Sequence, residues 1–402
     1  MGVGIVTVAL TATISVTTSA GASSAHGSVQ IYQPKPTGGH SVGTTRLHLV
    51  DRLRQDPLAP KGGPRELMVQ FWYPALDGPG FARAHYMPHG EAAALEGDHQ
   101  LPAGSIVDAP TQAHVSPPAE PGRHPVVLFY PGLCGDRTDT TFLDEQLASQ
   151  GMIVVAMSSA HESADLEFPG GRMVPSDPTI CGAGQDPFSP TDQRILNRLQ
   201  TVHVADTRFV LDELTRISRG IDPDVDRKPL PLGISQAMDL TRIGMFGHST
   251  GGSTTAEVMR EDSRVRAGID LDGLILGPVL KTGLKKPFLM FGSDYHNVTE
   301  PDPSWQSFIP KLSGWHRWLR LRDAGHYRFT DLAGSSRRWG LDKTLKQASP
   351  ETWNLDFGDI GDRRAMTIVA TYVTAFFQRF LRARHEPLLD RPSKEFPEVQ
   401  FR

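Results

Sequence analysis

The stretch Arg242-Ile-Gly-Met-Phe-Gly-His-Ser-Thr-Gly-Gly252 decides the fold of this 402-residue chain. Its first half reads as a buried strand, and its second half is the pattern G-x-S-x-G followed by small residues that suit a helix. Gly247 and Gly251 allow the backbone to turn sharply, which exposes the hydroxyl of Ser249 above the sheet. A strand, this pattern and a helix in that order are typical of a nucleophile elbow. We therefore predict that Ser249 is a catalytic nucleophile.

Short apolar runs alternate with longer helical stretches on both sides of this motif. The alternation predicts an α/β-hydrolase fold, with a mostly parallel central sheet and helices on both of its faces. The candidate strands are Leu67–Tyr73, Val126–Tyr130, Met152–Met157, Ile243–Phe246, Ala267–Leu271, Pro287–Phe291 and Trp315–Leu321. The candidate helices are Arg198–Leu214 and Met366–Phe380, whose apolar residues recur every three or four positions.

The chain reads as one domain with an unusual amino terminus. Residues 1–27 carry no Lys, Arg, Asp or Glu and include a short apolar stretch, which predicts a signal peptide that lacks a basic start, or else a disordered tail. Residues 28–402 form the predicted single domain. Loops rich in Pro and Gly interrupt it at about 77–123, 162–191 and 297–313, and we expect these insertions to act as lids or binding loops.

The composition excludes several classes of protein. The apolar content of 39% and the charged content of 21% are those of a globular protein, and a net charge of −4 without a basic run argues against nucleic-acid binding. The two cysteines, Cys134 and Cys181, have no metal-ligand spacing, so we expect neither a metal nor a cofactor. Whether they pair or stay free thiols is open, because sequence cannot test the distance that a disulfide requires.

A serine hydroxyl needs a base to remove its proton, and placement in the chain favours one histidine. In the α/β-hydrolase order of nucleophile, acid and base, the base lies after the last core strand and before the carboxy-terminal helix. His326 occupies that position. His316 lies inside the preceding strand and His296 comes too early, so we read both as surface or packing residues.

Two carboxylates compete for the role of the acid. Asp272 ends the strand Ala267–Leu271, and Asp294 ends the next strand along the chain. Both strand ends lie on the side of a parallel sheet where ligands bind, so either carboxylate could accept the imidazole N–H. Periodicity alone does not separate them.

The oxyanion that forms during ester cleavage needs two N–H donors. One is expected directly after the nucleophile, at Thr250, beside the positive end of the helix. The other is expected after an earlier strand, where Pro131-Gly132-Leu133 offers the amide of Leu133.

The motif 242–252, together with Val265-Arg-Ala-Gly-Ile-Asp-Leu-Asp-Gly273, resembles the plasma-type platelet-activating factor acetylhydrolases, also called lipoprotein-associated phospholipase A2. Further similarity at 65–74, 125–133 and 206–214 extends the resemblance over roughly residues 45–385. It implies a calcium-independent α/β-hydrolase that cleaves short or oxidised sn-2 acyl esters of phospholipids.

The resemblance also assigns site residues. It implies Ser249 as the nucleophile, His326 as the base, Asp272 rather than Asp294 as the acid, and Leu133 and Thr250 as the oxyanion donors. Two departures concern the acyl pocket. Tyr-Pro precedes Gly132 where the animal enzymes tend to carry Ser-His, and Leu274 stands where they carry a bulky aromatic residue.

The sequence therefore predicts a secreted serine esterase or lipase that acts on small ester or phospholipid substrates, with contact to a lipid surface as a further expectation. The Pro-Gly turn and the Ser249, Asp294, His326 spacing also resemble bacterial cutinases and polyester-cleaving lipases. A cutinase-like triglyceride or polyester hydrolase is thus the first alternative. An inactive α/β-hydrolase that serves as a binding module is the second.

Overall fold

The structure is a computed structural model that describes residues 29–76, 80–98, 101–183, 189–294 and 302–402. The predicted signal peptide or tail lies outside these ranges. The strands are β1 (Ser41–Gln55), β2 (Pro64–Ala75), β3 (Arg83–His85), β4 (Pro110–Val115), β5 (His124–Tyr130), β6 (Ile153–Ser159), β7 (Leu166–Phe168), β8 (Arg172–Val174), β9 (Met238–His248), β10 (Val265–Leu271), β11 (Phe288–Gly292), β12 (His316–Leu321) and β13 (Val399–Phe401). The helices are α1 (His89–Asp98), α2 (Thr141–Ser149), α3 (Pro178–Cys181), α4 (Pro190–Ile217), α5 (Ile234–Ala237), α6 (Thr250–Glu261), α7 (Val279–Thr282), α8 (Pro303–Phe308), α9 (Leu341–Ala348), α10 (Pro350–Asp356) and α11 (Asp362–Arg382).

Within the described ranges, one large sheet organises the chain. Its strands follow the order β13-β12-β11-β10-β9-β5-β6-β2-β1-β4-β3. The six central strands from β12 to β6 are parallel to one another, as βαβ connections require. The predicted α/β-hydrolase architecture, with a mostly parallel sheet, is confirmed.

The sheet also has an antiparallel side. The predicted strand Leu67–Tyr73 lies within β2, which runs antiparallel to both β1 and β6. The sequence analysis did not identify β1, because its polar and charged residues interrupt the apolar pattern. The β1–β2 hairpin nevertheless extends the sheet by two long strands.

Alternate residues of the central strands face two separate apolar cores. On β5, Val127 and Phe129 pack with α2 and α11, whereas Val126 and Leu128 pack with α4 and α6. This alternation follows from the pleat of a strand. Both helix predictions lie inside longer helices, α4 and α11, whose apolar faces cover the sheet.

The predicted insertions contain short elements of their own. The first holds β3, α1 and β4 at one edge of the sheet, the second holds the β7–β8 hairpin and α3, and the third holds α8. Of the aromatic residues in the first and third insertions, Tyr86, Trp305 and Phe308 are buried, and Phe81 is 37% exposed. Three of these four side chains therefore serve packing.

Candidate active site

Ser249 is the single residue between the end of β9 and the start of α6. Its φ of 55° and ψ of −125° are a strained conformation for a residue with a side chain, as a nucleophile elbow requires. Its amide donates to the carbonyl of Leu271 at 2.9 Å, and its side chain is partly exposed. A Cβ on Gly247 would lie 2.1 Å from the carbonyl of Gly251, and a Cβ on Gly251 would lie 2.0 Å from the Tyr130 oxygen. Only glycine fits at these two positions.

His326 and Asp272 meet beside this elbow. The Nδ1 atom of His326 lies 2.7 Å from Oδ2 of Asp272, whose side chain is 1% exposed. The other carboxylate oxygen of Asp272 accepts the amide hydrogen of Ser293, and the Asp272 amide donates to Phe291 at 3.0 Å. Because Nδ1 donates to the carboxylate, Nε2 is the ring nitrogen that can take a proton from a substrate-side group. Neither Nε2 of His326 nor the Ser249 hydroxyl forms a hydrogen bond within the described part of the chain.

Asp294 makes different contacts. Its Oδ1 accepts from Nε of Arg320 at 2.7 Å, and its Oδ2 accepts from the amide of Asp323 at 2.8 Å. These bonds hold the loop after β12 and direct the carboxylate to Arg320 instead of His326. Asp272 and Asp294, which periodicity could not distinguish, therefore differ in their hydrogen-bond partners.

The turn after β5 packs against the elbow. A Cβ on Gly132 would lie 3.1 Å from the Cβ of Ser249 and 3.4 Å from Nδ1 of His248. The amides of Leu133 and Thr250 form no hydrogen bond with any residue that the structure describes. Thr250 is the first residue of α6, where the helix dipole favours negative charge. Both amides thus remain available to an anionic oxygen.

A disulfide joins Cys134 to Cys181, with their Cα atoms 5.5 Å apart. It settles the question that the sequence left open. Cys134 directly follows Leu133, and Cys181 ends α3 in the second insertion. Leu133 and Cys134 also pack against an apolar cluster that includes Ile180 and Leu199. The bond therefore ties the insertion to the turn beside Ser249.

Sequence reasoning missed two side chains next to His326. Nε2 of His248 lies 3.0 Å from the carbonyl oxygen of His326, and the two rings are 4.3 Å apart at their centroids. Asp356, at the end of α10, is 3% exposed, and burial raises its pKa to about 7 against the opposing effect of His326. The sequence gives no periodic signal for either contact, although His248 stands inside the G-x-S-x-G motif.

The remaining histidines of the sequence analysis lie elsewhere. His316 is the first residue of β12, and its Nδ1 lies 2.9 Å from the carbonyl oxygen of Gly314. His296 lies outside the described residues. In the described ranges, no group of three or more His, Cys, Asp or Glu residues could hold a metal ion, and no helix there is long and apolar enough to cross a membrane.

Comparison with known proteins shows similarity to esterases. Residues 194–386 match the family described as platelet-activating factor acetylhydrolase, isoform II. A probable 1-alkyl-2-acetylglycerophosphocholine esterase of Arthroderma benhamiae is 29% identical over 287 residues, and a platelet-activating factor acetylhydrolase of Cavia porcellus is 22% identical over 268 residues. The solved structure of a ferulic acid esterase from Streptomyces cinnamoneus is 35% identical and superposes with a TM-score of 0.77 over 93% of this chain and 99% of that one. Residues 194–386 are thus similar to the platelet-activating factor acetylhydrolases, and the chain as a whole is similar to the ferulic acid esterase.

The matches have defined limits. The curated relatives align over 69% and 64% of this chain, and over 66% and 58% of their own lengths. The match to the acetylhydrolase family includes Ser249, Asp272 and His326, whereas Leu133 and the disulfide-bonded Cys134 precede it. The turn beside the nucleophile is thus the part of the site that the family match leaves undescribed.

Proposed function

We propose that the chain is a carboxylic ester hydrolase that acts through an acyl-enzyme on Ser249. The observation that carries the proposal is the hydrogen bond between the buried Asp272 carboxylate and His326, beside a strained serine. This set of groups suits acyl transfer, because it combines a nucleophile, an oriented base and two free amides. The family match and the esterase structure support the same reaction class.

In the proposed reaction, the oxygen of Ser249 attacks the ester carbonyl carbon while Nε2 of His326 takes the hydroxyl proton. The amides of Leu133 and Thr250 donate to the oxyanion of the tetrahedral intermediate. The intermediate expels the alcohol, which receives the proton from His326. A water molecule then attacks the carbonyl carbon of the acyl-enzyme and gives a proton to His326. The second tetrahedral intermediate expels the Ser249 oxygen, which receives that proton from His326, and the carboxylic acid is released. The Asp272 carboxylate orients the imidazole and stabilises its cationic form.

The proposed substrates are short-chain esters, with the sn-2 acetyl group of platelet-activating-factor-like phospholipids as the first candidate. The names of the curated relatives support this choice. Esters of ferulic acid are the second candidate. The ferulic acid esterase aligns with 93% of this chain and is 35% identical to it, against 29% and 22% for the two curated relatives. Contact with a lipid surface belongs to the first candidate only.

We also propose that the protein is exported. The disulfide supports this, since such bonds persist in oxidising compartments and are rare in a reducing cytosol. The apolar, uncharged segment at residues 1–27 supports it as well. The amino-terminal sequence of the mature protein, recovered from the culture medium, tests the proposal.

Two experiments test the activity. Ser249→Ala should keep the circular dichroism of the wild type and lose at least about 10³-fold in the hydrolysis of p-nitrophenyl acetate. A fluorophosphonate probe should label the wild type but not this variant. Failure of the wild type to be labelled would favour the inactive binding module. Rates on a 1-alkyl-2-acetyl-glycerophosphocholine, on methyl ferulate and on emulsified tributyrin then rank the three substrate classes.

A further inference from the structure

His248 lies between the turn that carries Leu133 and the ring of His326. It follows Gly247 on β9 and directly precedes Ser249, and its side chain is buried, with 3% of the residue exposed. On one side, a Cβ on Gly132 would lie 3.4 Å from its Nδ1 atom, so the ring contacts the turn that carries Leu133. On the other side, its ring lies against that of His326.

The contact with His326 has a defined donor. A carbonyl oxygen only accepts hydrogen bonds, so the 3.0 Å contact requires that Nε2 of His248 carries the hydrogen. The bond ends on the backbone of His326, the residue that supplies the proposed base. The preceding residue is also held, since the amide of Gly325 donates to Phe357 at 2.9 Å. The loop after β12 is therefore fastened on one side to α10 and on the other to the strand of the nucleophile.

His248 also keeps a suitable charge state. Burial, and after it the charge of His326, lower the pKa of His248 to about 3, although Asp272 and the bond to the His326 carbonyl act in the opposite direction. The ring is thus neutral near pH 7. The centroids of the two rings lie 4.3 Å apart, with the ring planes tilted by 40°. The His326 ring becomes cationic when it takes the serine proton, and a neutral aromatic neighbour tolerates such a cation. A second positive charge at this place would repel it.

We infer that His248 is a positioning residue, whose hydrogen bond to the His326 carbonyl and adjacent neutral ring hold the base in line with Ser249. The inference rests on the proposed function, since it assigns His326 the role of the base. It predicts that the two properties of His248, the donor and the ring, contribute separately to turnover. Substitutions can remove them one at a time.

The test compares His248→Phe, which keeps a ring and loses the donor, with His248→Gln, which places an amide donor near the position of Nε2. We expect His248→Phe to lower kcat by roughly 10- to 100-fold on p-nitrophenyl acetate, with KM changed less than about threefold. We expect His248→Gln to recover a large part of that loss. His316→Phe is the matched control, because it removes a histidine that also contacts one backbone carbonyl and lies away from Ser249; its kcat should stay within about twofold of the wild type.

Two further measurements separate positioning from a loss of folding. The melting temperatures of the Phe and Gln variants should fall by similar amounts although their kcat values differ. In proton NMR of protein with labelled histidine, the downfield Nδ1–H signal of His326 should broaden in the Phe variant and persist in the Gln variant. The inference is overturned if His248→Phe retains wild-type kcat, or if both variants lose activity in proportion to their stability. The proposed function fails separately, through Ser249→Ala and the fluorophosphonate probe.

Discussion

His326 donates from Nδ1 to Asp272 across 2.7 Å, although Asp294 follows the neighbouring strand β11 of the same parallel sheet. The two carboxylates have different hydrogen-bond partners. Asp272 is held by the backbone amide of Ser293 and faces the histidine, whereas Asp294 is bound by Arg320 and a backbone amide. The carboxylate that accepts from His326 therefore lies after β10.

This arrangement predicts the effect of two matched substitutions. Asp272→Asn should reduce kcat by at least about 10³-fold, because the amide no longer stabilises the imidazolium and favours the wrong tautomer. Asp294→Asn should change kcat by less than about tenfold, since its contacts are with Arg320. Steady-state kinetics on p-nitrophenyl acetate decides between the two. A collapse of turnover in Asp294→Asn, with Asp272→Asn active, would contradict the assignment.

The elbow predicts a strong effect of one added methyl group. In Gly251→Ala the new Cβ would overlap the backbone oxygen of Tyr130, at 2.0 Å, so the backbone beside the Leu133 turn must move. We expect a loss of about 1–3 kcal/mol of stability and at least about 100-fold in kcat. Thermal unfolding and steady-state kinetics measure both effects. Gly97→Ala is the control, because a Cβ on this glycine of α1 would have no described residue within 4 Å apart from its own helix. This substitution should be neutral or slightly stabilising. Full activity in Gly251→Ala would contradict the close approach of residue 251 to Tyr130.

The disulfide predicts an effect on both stability and turnover. Cys134 and Cys181 are 47 residues apart in sequence, so the bond should restrict the unfolded chain by roughly 3–4 kcal/mol. The double variant Cys134→Ser/Cys181→Ser should lose about that amount in urea unfolding. It should also lower kcat more than it raises KM, because Cys134 adjoins the amide of Leu133. Reduction of the disulfide in the wild type should reproduce both changes. An unchanged kcat in the double variant would show that the disulfide does not influence the amide of Leu133.

Buried carboxyl groups predict how stability depends on pH. Burial raises the pKa of Glu145 to about 8, and hydrogen bonds from backbone amides offset only part of that rise. The folded state therefore keeps a proton that the unfolded state releases above about pH 4.5, so this group's contribution is complete at low pH and is lost as the pH rises to about 8. Glu145→Gln does not ionise. Its melting temperature should rise relative to the wild type between about pH 5 and pH 9.

The control for this comparison is Asp390→Asn, which changes an exposed carboxylate paired with Arg379. Its melting temperature should follow that of the wild type over the same pH range. A constant difference between Glu145→Gln and the wild type across the range would show that Glu145 is ionised in the folded state.

Much of the fold follows from local patterns. The apolar runs that predicted seven strands lie within β2, β5, β6 and β9 to β12, except that three of them begin one residue early, at Met152, Pro287 and Trp315. Both predicted helices lie within α4 and α11. Hydrophobic periodicity worked here because each of these elements buries a face against a core. It failed for β1 and for the short strands of the first insertion, where charged residues or short length hide the pattern.

The sequence by itself determined the elbow, since glycines at 247 and 251 and a serine between them allow one local backbone path. It also placed His326, because chain order limits which histidine can reach the carboxyl ends of the strands. Only the tertiary structure decided which carboxylate faces His326, whether Cys134 meets Cys181, and that His248 bonds to the backbone of His326. These contacts join residues 47 to 78 positions apart, and their geometry depends on how the whole sheet and its loops pack.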